Sequence, residues 1–119
     1  MYFFDTYAII ELIKENKSYK KYNEEIIITS VLNLGELYYA LLKDFGKEKA
    51  DEWKNKLESA VLHIDTEIIT DAMLFKYKNK GKNFSFIDCA GYILAREYGL
   101  KFLTGDKEFK YLPNVEFAK

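Results

Sequence analysis

Four short apolar runs set the frame of this chain: Tyr2-Phe3-Phe4, Ile26-Ile27-Ile28-Thr29, Val61-Leu62-His63-Ile64 and Lys101-Phe102-Leu103-Thr104. They do not alternate apolar with polar residues, as a strand with one wet face would. Such runs belong to strands buried on both sides, the habit of parallel sheets. Between them lie stretches of helical period. Tyr7, Ala8, Ile9, Leu12 and Ile13 form one, with Asp5 near its start. Ser30 is placed to cap a second, whose stripe reads Val31, Leu34, Tyr38, Leu41 and Phe45; Gly46 ends it. Ala50, Trp53 and Leu57 mark a third, and Ile68, Ala72 and Phe75 a fourth opened by Asp65-Thr66. A fifth runs from Ser85 to Tyr98 before Gly99, and Leu112 to Phe117 is expected as a fifth, edge strand after Pro113. Strand and helix in alternation predict an α/β three-layer fold, an open parallel sheet of four to five strands flanked by helices.

With 119 residues, the expectation is one domain spanning 1–119. Ten tyrosines and nine phenylalanines give it a substantial core. Cys89 is the only cysteine and His63 the only histidine, so an intrachain disulfide, a cysteine zinc cluster and a histidine-rich metal site are all excluded. Any metal must take oxygen ligands. No apolar run is long enough to span a membrane, and the first residues read as a core strand instead of a signal peptide, so a cytoplasmic location is expected. The formal net charge of -1 excludes neither nucleic acid nor small anions as partners, because the placement of the lysines decides that.

In open parallel sheets, sites form beyond the carboxyl ends of the strands. Asp5 and Asp106 follow strand ends directly, Glu36 lies within two turns of one, and Asp88 falls in the first turn of the helix capped by Ser85. Taken singly, each acid has an ordinary reading as a cap, a turn residue or a solvated helix residue. Four on one rim would raise one another's pKa, and a divalent cation removes that penalty. Hard oxygen donors suit Mg²⁺ or Mn²⁺, the ions of phosphodiester chemistry. Thr6, Ser85 and Thr104 are candidates for orienting substrate oxygens, with capping as the alternative. Lys76, Lys78, Lys80 and Lys82, interleaved with Tyr77 and Phe84, lead into Ser85; Lys78 and Lys80 are the candidates for backbone phosphates, with the aromatics stacking on bases. Lys14, Lys17, Lys20 and Lys21 form a second candidate.

Four motifs in order, Phe3-Phe4-Asp5-Thr6, Asn33-Leu34-Gly35-Glu36-Leu37, Ser85-Phe86-Ile87-Asp88-Cys89-Ala90 and Leu103-Thr104-Gly105-Asp106-Lys107-Glu108-Phe109, resemble the PIN domain nucleases, and among them the small toxins of the VapC type. The resemblance implies a Rossmann-like sheet and a metal-dependent ribonuclease acting on single-stranded RNA or on exposed loops of structured RNA. Carried over, Asp5 and Asp88 would be the direct Mg²⁺ or Mn²⁺ ligands, and Glu36 and Asp106 would complete the site. Thr104 would lie near the reacting water or phosphate, and Ser85 would support the Asp88 helix. Homodimerisation and a small antitoxin partner are implied as well, with Tyr39 and Trp53 as a landing area and core packing as the alternative for Trp53. Gly35 departs from good helix formation and is expected to permit close helix packing.

Two other readings compete. A haloacid-dehalogenase-type phosphatase shares a faint likeness at Phe3-Phe4-Asp5-Thr6 and Thr104-Gly105-Asp106, but Tyr7 stands where that family needs a second aspartate. A PIN-like RNA or protein binding module that does not cleave is the other; retention of all four acids weighs against it.

Overall fold

The computed structural model describes residues 1–119. In chain order its elements are β1 (Tyr2–Phe4), α1 (Thr6–Ile13), β2 (Thr29–Ser30), α2 (Val31–Phe45), α3 (Lys47–Leu57), β3 (Val61–Leu62), α4 (Thr66–Lys78), α5 (Phe86–Glu97), β4 (Lys101–Thr104) and β5 (Val115–Phe117). Short 3₁₀ turns cover Lys17–Tyr22, Glu58–Ala60 and Lys107–Phe109. β4 lies between β1 and β5, parallel to both, and β2 pairs in parallel with β3. A Phe3–Ile28 bridge joins the two ladders. The strand order is therefore β3-β2-β1-β4-β5, all parallel, and its direction reverses between β1 and β4. That reversal is where a doubly wound sheet opens a crevice.

Both faces of the central strands are buried, as their unalternating sequence requires. Phe3 and Phe102 pack with α4 and α5, joined by Phe84, Tyr92 and Phe109. Phe4 and Leu103 face the opposite way, into Ala8, Ile9, Tyr19, Tyr22, Leu37 and Leu41. The aromatic layer is continuous, with Phe84 stacked on Phe109 at 4.3 Å and Phe3 on Phe102 at 5.8 Å. Gly91 of α5 permits its close approach to the sheet, since a Cβ there would lie 3.1 Å from the Phe3 ring.

Five expectations need correction. The apolar run at Ile26 enters the sheet only at its end. The regular ladder is Thr29–Ser30 and Ile26 is exposed, because Thr29 Oγ1 fastens this segment to Phe4 O at 2.8 Å and Ser30 then turns the chain into α2. Likewise β3 stops at Leu62, and β5 is confined to Val115–Phe117 after a left-handed Asn114 at φ 65°. On α2 the buried face is Asn33, Leu37 and Leu41, while Val31 and Phe45 are about half exposed. The buried face departs from the apolar stripe because the helix turns a polar residue inward. Finally, a Cβ on Gly35 would meet nothing within 4 Å, so no helix packs closely against it.

Candidate metal centre

Asp5 is the N-cap residue of α1, yet its carboxylate does not cap the helix. Instead Thr104 Oγ1 donates to Asp5 Oδ2 at 2.8 Å, and Asn33 Nδ2 approaches Asp5 Oδ1 at 3.5 Å. The side chain is 3% exposed and has no basic partner. Burial, with the charges of Asp88 and Glu36 adding to it, pushes its pKa up to about 7 against the Thr104 hydrogen bond. A carboxylate so placed is unstable as an isolated anion.

Asp88 sits in a capping box. Ser85 Oγ accepts from the Asp88 N–H and Asp88 Oδ2 accepts from the Ser85 N–H, each at 3.0 Å. Burial raises its pKa and Asp106 adds to the rise, while the Ser85 hydrogen bonds and the Lys76 charge oppose it. Asp106 caps the 3₁₀ turn after β4 through Oδ1, which accepts from Glu108 N–H at 3.0 Å. Glu108 then accepts from the Asn83 N–H at 2.9 Å, tying the loop before α5 to the turn after β4. That tie brings the Asp88 and Asp106 segments to one rim.

Asp5, Glu36, Asp88 and Asp106 line a single cleft of about 570 Å³ with Thr6, Tyr7, Ile10, Ala40, Gly105, Lys107 and Glu108. No three acidic side chains converge tightly enough to cage an ion as they stand. Asp88 and Asp106 each turn one oxygen back to a helix end, and both residues line the cleft. The donor set nevertheless fits a hard divalent cation: several carboxylates, no sulfur or imidazole, and no ion pair to satisfy them.

The hydroxyls expected near substrate are committed inside the protein. Thr104 is fully buried, donating to Asp5 and accepting from the Asp106 N–H at 3.1 Å. Thr6 accepts from Asn33 Nδ2 at 3.0 Å, and Ser85 is occupied by its cap. Lys78 and Lys80 do not line the cleft; both are exposed on the end of α4 and the loop after it, where Lys80 lies over the Tyr77 ring. Of that run, Lys76 is the residue whose charge reaches Asp88, and its Nζ is held by Phe84 O at 2.5 Å. Phe84 is core, closed to any base. Tyr39 is exposed and Trp53 only partly buried.

Sequence reasoning missed Asn33 and Lys107. Asn33 is wholly buried; its Oδ1 accepts from Ser30 Oγ at 2.7 Å while its amide serves Thr6 and Asp5. The available signal was a poor helix former in an apolar helix, three residues after a cap and three before Glu36. Lys107 lines the cleft directly after Asp106, inside a motif already noted.

An all-parallel Rossmann-like sheet with a carboxylate-lined crevice at its switch point places the chain among doubly wound α/β proteins whose site lies beyond the strand ends. The family model of the PIN domain matches residues 2–115, and the chain belongs to that family. Among solved structures, VapC20 of Mycobacterium tuberculosis, described as a sarcin–ricin loop cleaving toxin, is similar at a TM-score of 0.83 and 19% identity, with all of both chains covered. A toxin–antitoxin complex from Klebsiella pneumoniae matches at a TM-score of 0.78 and 18% identity, covering 98% of this chain and 96% of that one. FitAcB from Neisseria gonorrhoeae matches at 0.74 and 17%, covering 100% and 97%. These likenesses carry the fold. A search of curated proteins finds no match.

Proposed function

We propose that this chain is a divalent-metal-dependent endoribonuclease that hydrolyses phosphodiester bonds of single-stranded or loop RNA, and that it is the toxin of a toxin–antitoxin pair. The observation that carries the reading is the buried Asp5, without a basic partner, sharing one cleft with Glu36, Asp88 and Asp106, its pKa pushed up to about 7 by burial and by the Asp88 and Glu36 charges. The resemblance of fold to toxins and toxin–antitoxin complexes supports the biological setting. It also supports a small antitoxin partner; that the chain pairs with a second copy of itself is part of the same proposal.

In this reading Asp5 and Asp88 hold Mg²⁺ or Mn²⁺ directly, with Glu36 and Asp106 completing its shell. When bound, the ion supplies Lewis acidity towards a phosphodiester and the water that attacks it. Thr104 orients Asp5 and anchors the Asp106 turn through one hydroxyl. Asn33 holds Thr6 and faces the other Asp5 oxygen. Lys107 gives the cleft its one cationic side chain, placed to meet a phosphate oxygen. The open cleft admits a strand of RNA without a lid.

The test is cleavage of labelled single-stranded RNA by purified protein with Mg²⁺ or Mn²⁺ against chelator, beside Asp88→Asn. Cleavage that needs metal and disappears in the variant is expected. Equal turnover by Asp88→Asn would reject the site, and a thermal shift with metal but no cleavage of any RNA would favour the non-cleaving module.

A further inference from the structure

We infer that the groove between the 3₁₀ turn Lys17–Tyr22 and the end of β5 is a second nucleic-acid subsite, one that grips the phosphates of an RNA strand flanking the bond at the acidic cleft. The inference rests on the nuclease reading and adds the path of the substrate. Lys17, Lys20 and Lys21 converge with Ser18, Phe117 and Ala118 on a cavity of about 610 Å³ whose lining contains no acid. All three lysines are exposed and none is in an ion pair. Two nearby acids have hydrogen-bond partners: Glu116 accepts from Tyr22 Oη at 2.6 Å and Glu11 from Asn16 Nδ2 at 2.6 Å. Glu15 lies in the adjoining groove with Lys17 and Lys20.

Like charges gathered on a concave surface repel one another, and a polyanion relieves them. The turn holds the lysines firmly, because Tyr19 and Tyr22 between them are buried core residues and Tyr19 Oη donates to Ala118 O at 2.5 Å. A half-buried aromatic, Phe117, lies in the groove with Lys110 over its ring at 5.2 Å, the pairing that single-stranded nucleic acid uses for stacking beside charge.

The groove lies next to the cleft: Ala118 lines it, and Ala118 O packs against the cleft residue Gly105, where a Cβ would lie 2.7 Å from it. On this inference a strand that places one phosphodiester among the four acids crosses that contact and lays neighbouring phosphates over Lys17, Lys20 and Lys21. Acids at the reacting bond repel an RNA that carries no cation, and the lysines supply the attraction that the cleft lacks.

The experiment measures anisotropy of a fluorescein-labelled single-stranded RNA of about 12 nucleotides in chelator, from about 50 to 200 mM salt. It compares wild type with the triple variant Lys17→Gln, Lys20→Gln, Lys21→Gln, the same three changed to Arg, and a Lys78→Gln, Lys80→Gln control. The Gln triple is expected to flatten the log–log salt slope by about 2, at roughly 0.7 for each phosphate left without its lysine, and to weaken binding at least about 10-fold at the low-salt end. The Arg triple and the control are expected to bind as wild type does. With metal, kcat/KM on the same RNA falls while kcat holds. Unchanged binding by the Gln triple, an equal loss in the control, or no RNA binding by wild type at low salt would each overturn the groove. Wild-type binding that depends on these lysines without any cleavage would sink the nuclease reading and leave the groove standing.

Discussion

Replacing Asp5 by Asn is expected to stabilise the metal-free protein, and by an amount that depends on pH. The Asp5 carboxyl titrates at about 7 in the folded chain against an ordinary 3.8. A raised folded pKa means that the unfolded chain loses this proton first. Stability from this group therefore falls as pH rises from about 4 to about 7, and is level above that. At 1.36 kcal/mol per unit, the cost is about 4 kcal/mol at pH 8 and between about 1 and 2 at pH 5. Asn titrates at neither pH and keeps an oxygen for the Thr104 hydroxyl, but it turns an amide towards Asn33. That second change costs about the same at both pH values. The difference between the two conditions, between about 2 and 3 kcal/mol, is thus the clean quantity. For a domain of this size it corresponds to an extra gain of about 10 °C in Tm at pH 8 over pH 5. The assay is thermal unfolding of both proteins in chelator at the two pH values. Adding Mg²⁺ or Mn²⁺ at pH 8 is expected to raise the wild-type Tm and leave the variant nearly unmoved. An equal Tm difference at pH 5 and pH 8 would refute the argument that a buried charge is being held against its preference.

Asn33→Leu removes the amide that serves Thr6 and Asp5 and strands the Ser30 hydroxyl, so a loss of about 1–3 kcal/mol is expected by urea denaturation, together with weaker binding of Mn²⁺ by calorimetry. Stability lost with unchanged Mn²⁺ affinity would make Asn33 a core residue only. Gly35→Ala, at an exposed helical position with free space around it, is expected to stabilise by about 1 kcal/mol in the same urea assay; destabilisation would show that a side chain at position 35 meets a neighbour in solution.

The strand–helix alternation could be read from the chain because buried parallel strands have a compositional mark, and β4 was bounded correctly for that reason. The short strands were not, since Ile26 and Ile64 look like strand residues and only their neighbours' hydrogen bonds exclude them. The four acids were legible through motif order, and their common cleft through the rule that sites follow strand ends. What the sequence hid were the residues whose work is to hold others. Asn33 looks polar and is buried; Thr104 looks free to meet substrate and is bound on both sides. Lys78 and Lys80 were picked because charge density is visible in sequence; that they lie outside the acidic cleft was not, since the side on which a helix end projects is set by packing.

The pairing of β1 with β4 carries a consequence for synthesis. Asp5 leaves the ribosome well before the hydroxyl that orients it, which belongs to Thr104, 99 positions later. Until then β1 lacks its neighbour on that side, and a contact of such sequence separation forms late. Asp106 follows two residues after Thr104. A nascent chain can therefore fold its first helices while its acids remain scattered. The cleft closes on itself only once β4 and the turn after it have been made, and a chain stopped before them leaves the four acids apart.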